Sequence, residues 1–445
     1  MSDETSESGL SQPSLGLPSD NTATEPFVPK PPESFQEAGL DPAVVETLIV
    51  KYLAAASAAT GTRIVREICL PRDPVIKLLQ ALKKQQIVYY ADSTSVGDFK
   101  YALTEAGRDR AQRYMFESMY VGSAPVPLDV YLKAVSAQTI TTKNPKREDL
   151  ERAFSDLLIS KEMFDTLGPA INSGRGMFLY GYPGNGKSSI AERVTACFGD
   201  TIYIPRCLIV DGLIIKLFDE SKHEAIEEPG DQRLRKNTYD TRWVKIRRPT
   251  IIVGGELTLE ALEFQYNATS KMCEAPAQMK SNCGTFVVDD FGRQRVKPVD
   301  LLNRWIVPLE KRFDYLTLPN GRVIMIPFDQ LIIFATNLEP RELCDEAFLR
   351  RIPYKIQAMD PTEEQFRKLF ELMGPSLGFE MDDGAGAAID HLVEMHFKKE
   401  NRPFRCCQPR DLMMQVRNWC LYQDQPMKLT PEYFDYAVSV YFTVM

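Results

Sequence analysis

Three stretches of this chain carry residues whose types and spacing could do chemistry on a phosphate. The first is Gly181-Tyr182-Pro183-Gly184-Asn185-Gly186-Lys187-Ser188-Ser189. It follows the apolar run Met177–Tyr180 and precedes the helical pattern Ile190–Val194. Strand, glycine loop and helix together form the setting of a phosphate-binding loop. The glycines let successive N–H groups turn inward, the new helix adds its positive end, Lys187 reaches outer phosphates, and the Ser188 hydroxyl ligates magnesium. The second stretch is Thr285-Phe286-Val287-Val288-Asp289-Asp290, a buried strand with two acids at its tip. Asp289 suits a magnesium ion, and Asp290 suits the polarisation of an attacking water. The third is Leu331–Asn337, an apolar strand whose terminal amide, Asn337, could orient that water. The plainer readings are a glycine-rich surface turn and a buried strand closed by a solvated acidic turn. The strand–loop–helix setting and the two stretches occurring together favour the nucleotide.

These stretches need a parallel α/β core to bring them together, and the length of the chain allows it. With 445 residues, 44% hydrophobic and 26% charged, the composition is that of a globular protein of two or three domains. A net charge of −8 argues against a wholesale nucleic-acid coat protein. No apolar run approaches bilayer length, and Met1-Ser2-Asp3-Glu4 lacks the order of a signal peptide. The nine cysteines form no CxxC pair, and His223, His391 and His396 show no ligand spacing with them. Neither zinc nor disulfides are expected, Cys406-Cys407 reads as packing, and the expected compartment is a reduced cytoplasm.

Along the chain, residues 1–35 are rich in Ser, Thr, Pro and acid and read as a disordered tail. Residues 36–108 carry three short helical patterns and then two strand runs around Asp92–Gly97. This order resembles a winged-helix domain. Such a module docks either protein or DNA; its third helix offers Lys77, Lys83 and Lys84, but also Asp73. Residues 109–165 read as a helical connector.

After the three stretches come Arg350-Arg351 behind a short helix, and Gln408-Pro409-Arg410 opening another. With these in place, residues from about 165 onward resemble the AAA+ ATPases. The loop matches that family's Walker A and Val287–Asp290 its Walker B. Asn337 falls on the sensor 1 position, Arg351 or Arg350 on the arginine finger, and Arg410 on sensor 2. The resemblance implies a three-layer α/β/α P-loop core at 166–355 and a C-terminal helical lid at 356–445. It also implies ATP and Mg2+ as cofactors, and a ring-like homo-oligomer in which a neighbour's arginine completes each site. A hairpin predicted around Asn320-Gly321 is similar to the pre-sensor-1 hairpin of MoxR-type chaperones, implying an ATPase that remodels a protein client.

Two departures from the family stand out. Its Walker B usually ends Asp-Glu, whereas Asp290 is one methylene shorter, so a slow nucleotide switch is an alternative outcome. The distance from Lys187 to Asp289 also implies an insertion at about 217–281. This holds Arg233, Arg235, Lys236, Arg242, Lys245, Arg247 and Arg248 with Tyr239 and Trp243. Such a mixture either grips nucleic acid or an acidic polypeptide, or balances the neighbouring acids as a solvated face. Together with the winged helix it motivates a second hypothesis, an ATP-controlled DNA-binding regulator.

Overall fold

Five parallel strands lie at the centre of the computed structural model, which describes residues 26–95, 98–226 and 239–443. In chain order they are β1 (Met177–Tyr180), β2 (Thr250–Val253), β3 (Gly284–Val288), β4 (Gln330–Thr336) and β5 (Tyr354–Gln357), arranged β2-β3-β4-β1-β5. Every residue of β3 and β4 is buried. Central parallel strands covered on both faces must be apolar throughout, which is why both are continuous hydrophobic runs. Successive side chains leave on opposite faces. Phe286, Val288, Ile332 and Phe334 join Trp305 and Phe328 in one core, while Val287, Leu331 and Ile333 join Ile171, Ile190 and Val194 in another. The result is a three-layer α/β/α core. Its break in strand order lies where β1 sits between β4 and β5, and a crevice for ligands opens outside the carboxyl ends of strands at such a break.

The expected insertion at 217–281 is corrected by this sheet. Thr250–Val253 lies inside that range yet forms the edge strand β2, paired with β3. The upstream run at Thr201–Ile204 is a strand, but it pairs antiparallel with Trp243–Arg247 outside the core sheet. Periodicity identifies an apolar strand without saying which sheet receives it. The additional structure therefore begins at Thr201, earlier than position 217. It includes a mixed sheet ordered Gln265–Asn267, Met272–Glu274, Leu213–Lys216, Cys207–Val210, Val126–Pro127. The hairpin Phe313–Thr317/Val323–Pro327 turns through Asn320-Gly321, with Gly321 at φ +84°, and buries Leu316, Leu318, Ile324 and Ile326 against this addition.

Two of the basic residues in the addition, Arg242 and Arg248, are spent internally. Arg242 is 4% exposed, paired with the 3% exposed Asp240, and donates to the carbonyls of Ala38 and Pro125 at 2.8 and 3.2 Å. Arg248 donates to the carbonyls of Gln138 and Cys283, and Arg247 pairs with Glu224 at 2.7 Å. Trp243 is buried. Arg242 and Arg248 are therefore turned inward, whereas Arg247, 63% exposed, stays at the surface in an ion pair. Arg233, Arg235 and Lys236 lie outside the described residues.

The mixed sheet also carries the N-terminal module. Helices Pro42–Ala56, Gly61–Ile68 and Arg72–Lys84 pack on a three-stranded antiparallel sheet ordered Ala58–Thr60, Asp98–Leu103, Val88–Ser95. The short first strand adds to the expected hairpin. Val45, Leu48, Ile49, Val75 and Leu79 share a core with Cys207, Ile209, Ile214 and Met272, so the module is joined to the addition through apolar packing. The expected tail at 1–35 is shortened as well: Phe27 stacks edge-on against Trp243 at 5.8 Å, and the Asp240 amide donates to Pro29 O. Residues 1–25 lie outside the described residues.

At the C-terminal end, helices Glu363–Met373, Asp383–His391, Gln408–Tyr422 and Pro431–Tyr441 bundle around Phe366, Phe370, Phe397, Leu412, Val416 and Phe434. Among the described residues no helix is long and apolar enough to cross a membrane.

Candidate functional site

The loop after β1 is shaped by glycines at positions where other residues would be strained. Gly181, Gly184 and Gly186 have φ of +137°, +85° and +74°. At Gly181 a Cβ would lie 2.6 Å from Ala358 O, just beyond β5, and at Gly184 it would lie 2.5 Å from Cys407 Sγ. The loop is thus pressed between the sheet and the C-terminal bundle. The helix Lys187–Val194 starts directly after Gly186, so its first N–H groups face the crevice outside β1.

Side chains from three strand ends meet there. Lys187 Nζ donates to Gly181 O and Tyr182 O, both at 2.9 Å, and to Asn337 Oδ1 at 2.7 Å. Ser188 Oγ donates to Asp289 Oδ2 at 2.8 Å. Asn337 Nδ2 donates to Asp290 Oδ1 at 3.3 Å. Burial lowers the pKa of Lys187, and Arg405 adds to that, while Asp290 and Asp289 oppose it. The ammonium therefore sits in a buried site, where the Asp290 and Asp289 carboxylates favour its charged form.

The two acids are held differently. Asp289 is half-buried; its amide donates to Val253 O at 2.8 Å, and Gln294 Nε2 donates to its carbonyl at 2.7 Å. Asp290 is exposed at φ +50°, with its amide donating to Asp289 Oδ1 at 3.0 Å. A left-handed conformation is uncommon for a non-glycine residue, though aspartate tolerates it better than most. It turns the Asp290 carboxylate out of the strand toward Asn337. Ser188 Oγ and the Asp289 carboxylate fit a small hard cation that takes few protein oxygens and keeps water or phosphate for the rest, which describes Mg2+.

Beside these groups runs a cleft of ≈ 650 Å³ between the sheet and the bundle. Pro183, Gly184, Asn185, Gly186, Lys187, Ser188, Ser189, Asp289, Asp290 and Asn337 all line it. Ile159, Met163, Ile356, Met359, Leu369 and Met373 form its apolar wall. One end therefore offers cations and hydroxyls, and the other offers surface for a flat ring.

The expected arginines are not all brought in. Arg410 lines the cleft, but its guanidinium, 62% exposed, pairs with its neighbour Asp411 at 3.1 Å. Arg350 and Arg351 are not among the cleft residues. Arg351 is 18% exposed and held by Glu310 at 2.7 Å and by Ala347 O at 3.1 Å. Arg350 is exposed and has no partner among the described residues. Of the two, Arg350 is the side chain that can reach another molecule without breaking an ion pair.

Several contacts have no signal in residue spacing. Asn185 Nδ2 donates to Asp360 Oδ1 at 2.7 Å, and Arg405 pairs with the same carboxylate. The Arg405 guanidinium also lies over the Tyr182 ring at 4.2 Å. The Cys407 amide donates to Gly184 O at 2.8 Å. Burial pushes the Cys406 thiol up to about 11, which favours its protonated form and suits the packing role expected for the cysteine pair. Asp360, Arg405 and Cys407 thus tie the bundle to the loop. Only the position of Arg405, just ahead of the Gln408–Arg410 stretch, could have suggested it.

Residues 362–440 match a family model described as a domain of unknown function (DUF8689). No curated protein matches. Two crystal structures of NtrX from Brucella abortus are similar at 14% identity and a TM-score of 0.39. The first covers 64% of this chain and 56% of its own, so this chain spans just over half of it. The second, a complex with ATP, covers 81% of this chain and 70% of its own.

Proposed function

We propose that this chain is an AAA+-type ATPase that binds ATP with Mg2+ in the cleft outside β1 and uses its hydrolysis to move the C-terminal bundle against the core. The observation that carries this reading is the junction of Lys187 with Asn337 and of Ser188 with Asp289. Residues far apart in sequence, from three motifs, meet at the carboxyl ends of adjacent parallel strands. With nucleotide present, Lys187 leaves the carbonyls of Gly181 and Tyr182 for the outer phosphates, and the loop amides and helix start face the same charge. Ser188 and Asp289 would hold Mg2+, whose charge would offset negative charge on the phosphates. Asp290, aimed by its left-handed backbone and by Asn337, accepts the proton of the attacking water. Arg350 is the group available to a neighbouring subunit in a ring-like homo-oligomer, and Arg410 closes from the bundle. The links from Gly184 and Asn185 to Cys407, Asp360 and Arg405 give the bundle a direct mechanical connection to the loop.

The joined N-terminal module, winged-helix-like in its order of elements, suits this reading as a client-docking domain. The decisive experiment is titration of the full chain with ATP and Mg2+, followed by phosphate release and sedimentation with and without nucleotide. Binding with slow release identifies the nucleotide switch, and absence of binding removes the proposal. A DNA-acting role retains one supporting observation, the exposure of Lys77, Lys83 and Lys84 on the helix Arg72–Lys84. Duplex binding that weakens steeply with salt and is lost when these lysines are neutralised would favour it.

A further inference from the structure

We infer that the C-terminal bundle carries a second metal site, for a zinc-class divalent ion, formed by His391, His396 and Asp435. His391 Nε2 and His396 Nε2 lie 2.8 and 2.5 Å from the same oxygen, Asp435 Oδ1. One ligand atom from each of the three residues lies within 4.8 Å of the others. No spacing rule would pair these histidines: on an α-helix, residues five apart point about 140° away from each other. The backbone makes the difference. After the helix Asp383–His391 the chain runs as a π-helix over Leu392–Lys398, and the Lys399 amide donates to Glu394 O at 3.1 Å, five residues back. A turn closed at five residues brings positions 391 and 396 onto one face. Such π turns are rare and cluster at functional sites, because they widen the helix at the expense of regular packing. The turn is thus a second feature, independent of the side-chain cluster, at the same place.

Asp435 reaches this face from the final helix, Pro431–Tyr441. The three side chains are between a fifth and half exposed, so an ion can enter and water can fill its remaining positions. Two imidazoles and one carboxylate suit Zn2+, or Co2+ and Ni2+ in its place, at neutral pH. The all-oxygen pair Ser188 and Asp289 suits Mg2+ instead, so the two sites discriminate by donor type. An ion at the histidine site would fasten the last helix to the π segment and stiffen the part of the bundle that moves against the nucleotide cleft. A hydrogen-bonded triad without metal is the competing state.

The test uses the full chain, stripped with a chelator and titrated with ZnCl2, and separately with CoCl2 followed by visible absorption. One equivalent is expected. His391→Ala, His396→Ala and Asp435→Asn should each weaken it more than about tenfold while leaving Mg2+–nucleotide affinity unchanged. His391→Cys should keep Co2+ and add a thiolate charge-transfer band, a signature that only a direct ligand produces. Circular dichroism of the metal-free variants separates loss of a ligand from loss of fold. No stoichiometric binding by the wild type, or an affinity that survives both histidine variants, overturns the site. Loss of nucleotide binding alone would overturn the ATPase reading and leave this one standing.

Discussion

Lys187 and Asn337 are 150 positions apart, yet the ammonium of one lies 2.7 Å from the amide oxygen of the other. The pair joins the loop after β1 to the tip of β4 at the cleft. The two residues should fail differently. Lys187→Ala should weaken ATP binding by about 100-fold or more, because a charge-assisted contact to phosphate is worth roughly 3 kcal/mol. Asn337→Ala should leave binding within a few-fold and slow turnover by about 10²–10³. Fluorescent-nucleotide titration and phosphate release distinguish the two.

The proposed mechanism makes Asp290 the base and Asp289 the metal ligand. Asp290→Asn keeps size and shape, so nucleotide affinity should hold while steady-state phosphate release falls by about 10²-fold or more. Asp289→Asn should raise the Mg2+ concentration needed for half-maximal turnover. Unchanged release in Asp290→Asn would take that residue out of the chemistry.

The adjacent arginines should separate in a mixing experiment. Arg350→Ala should abolish ATP-stimulated turnover yet be partly rescued by subunits of the Asp290→Asn variant, since each supplies what the other lacks. Arg351→Ala breaks the pair with Glu310, a partly exposed contact worth about 0–1 kcal/mol, and should chiefly lower thermal stability a little. The reverse pattern, with rescue of Arg351→Ala only, would assign the intersubunit role to Arg351.

Two loop glycines should respond unequally to alanine. At Gly186 no other atom lies within 4 Å of where a Cβ would stand, so Gly186→Ala should cost only the left-handed backbone, about 1–2 kcal/mol. Gly184→Ala adds a clash with Cys407 Sγ and should cost more, loosening the bundle from the loop. Adding Cys407→Ala should recover part of the loss, which a denaturation series on the four chains would read out.

The Arg242–Asp240 pair is the test of how the N-terminal module is mounted. Arg242→Ala leaves a buried carboxylate without its partner and should destabilise by about 3–5 kcal/mol. The double variant Arg242→Met/Asp240→Leu should be far milder, since it removes both charges together. If Arg242→Ala instead altered binding of nucleic acid without changing stability, the internal role would be wrong.

Much of the candidate site was legible in residue order. Gly181–Ser189, Asp289, Asp290 and Asn337 sit at strand ends, and local pattern is enough to recognise a strand, its tip and the loop that follows. The helical character of 356–445 was legible through the family resemblance, and the structure resolves it into four helices around a π segment. Placement was not. That Thr250–Val253 joins the core sheet while Thr201–Pro205 does not, and that Arg242 is buried while Arg350 faces outward, depends on partners remote in sequence. The meeting of His391 with His396 depends on a π turn that no periodicity announces. The sequence by itself determined which chemical groups stand at which strand ends, because strand and loop propensities act over a few residues. Only the tertiary structure decided which groups share a cleft, an ion pair or a side-chain cluster, because burial and pairing energies are set by what packs against them.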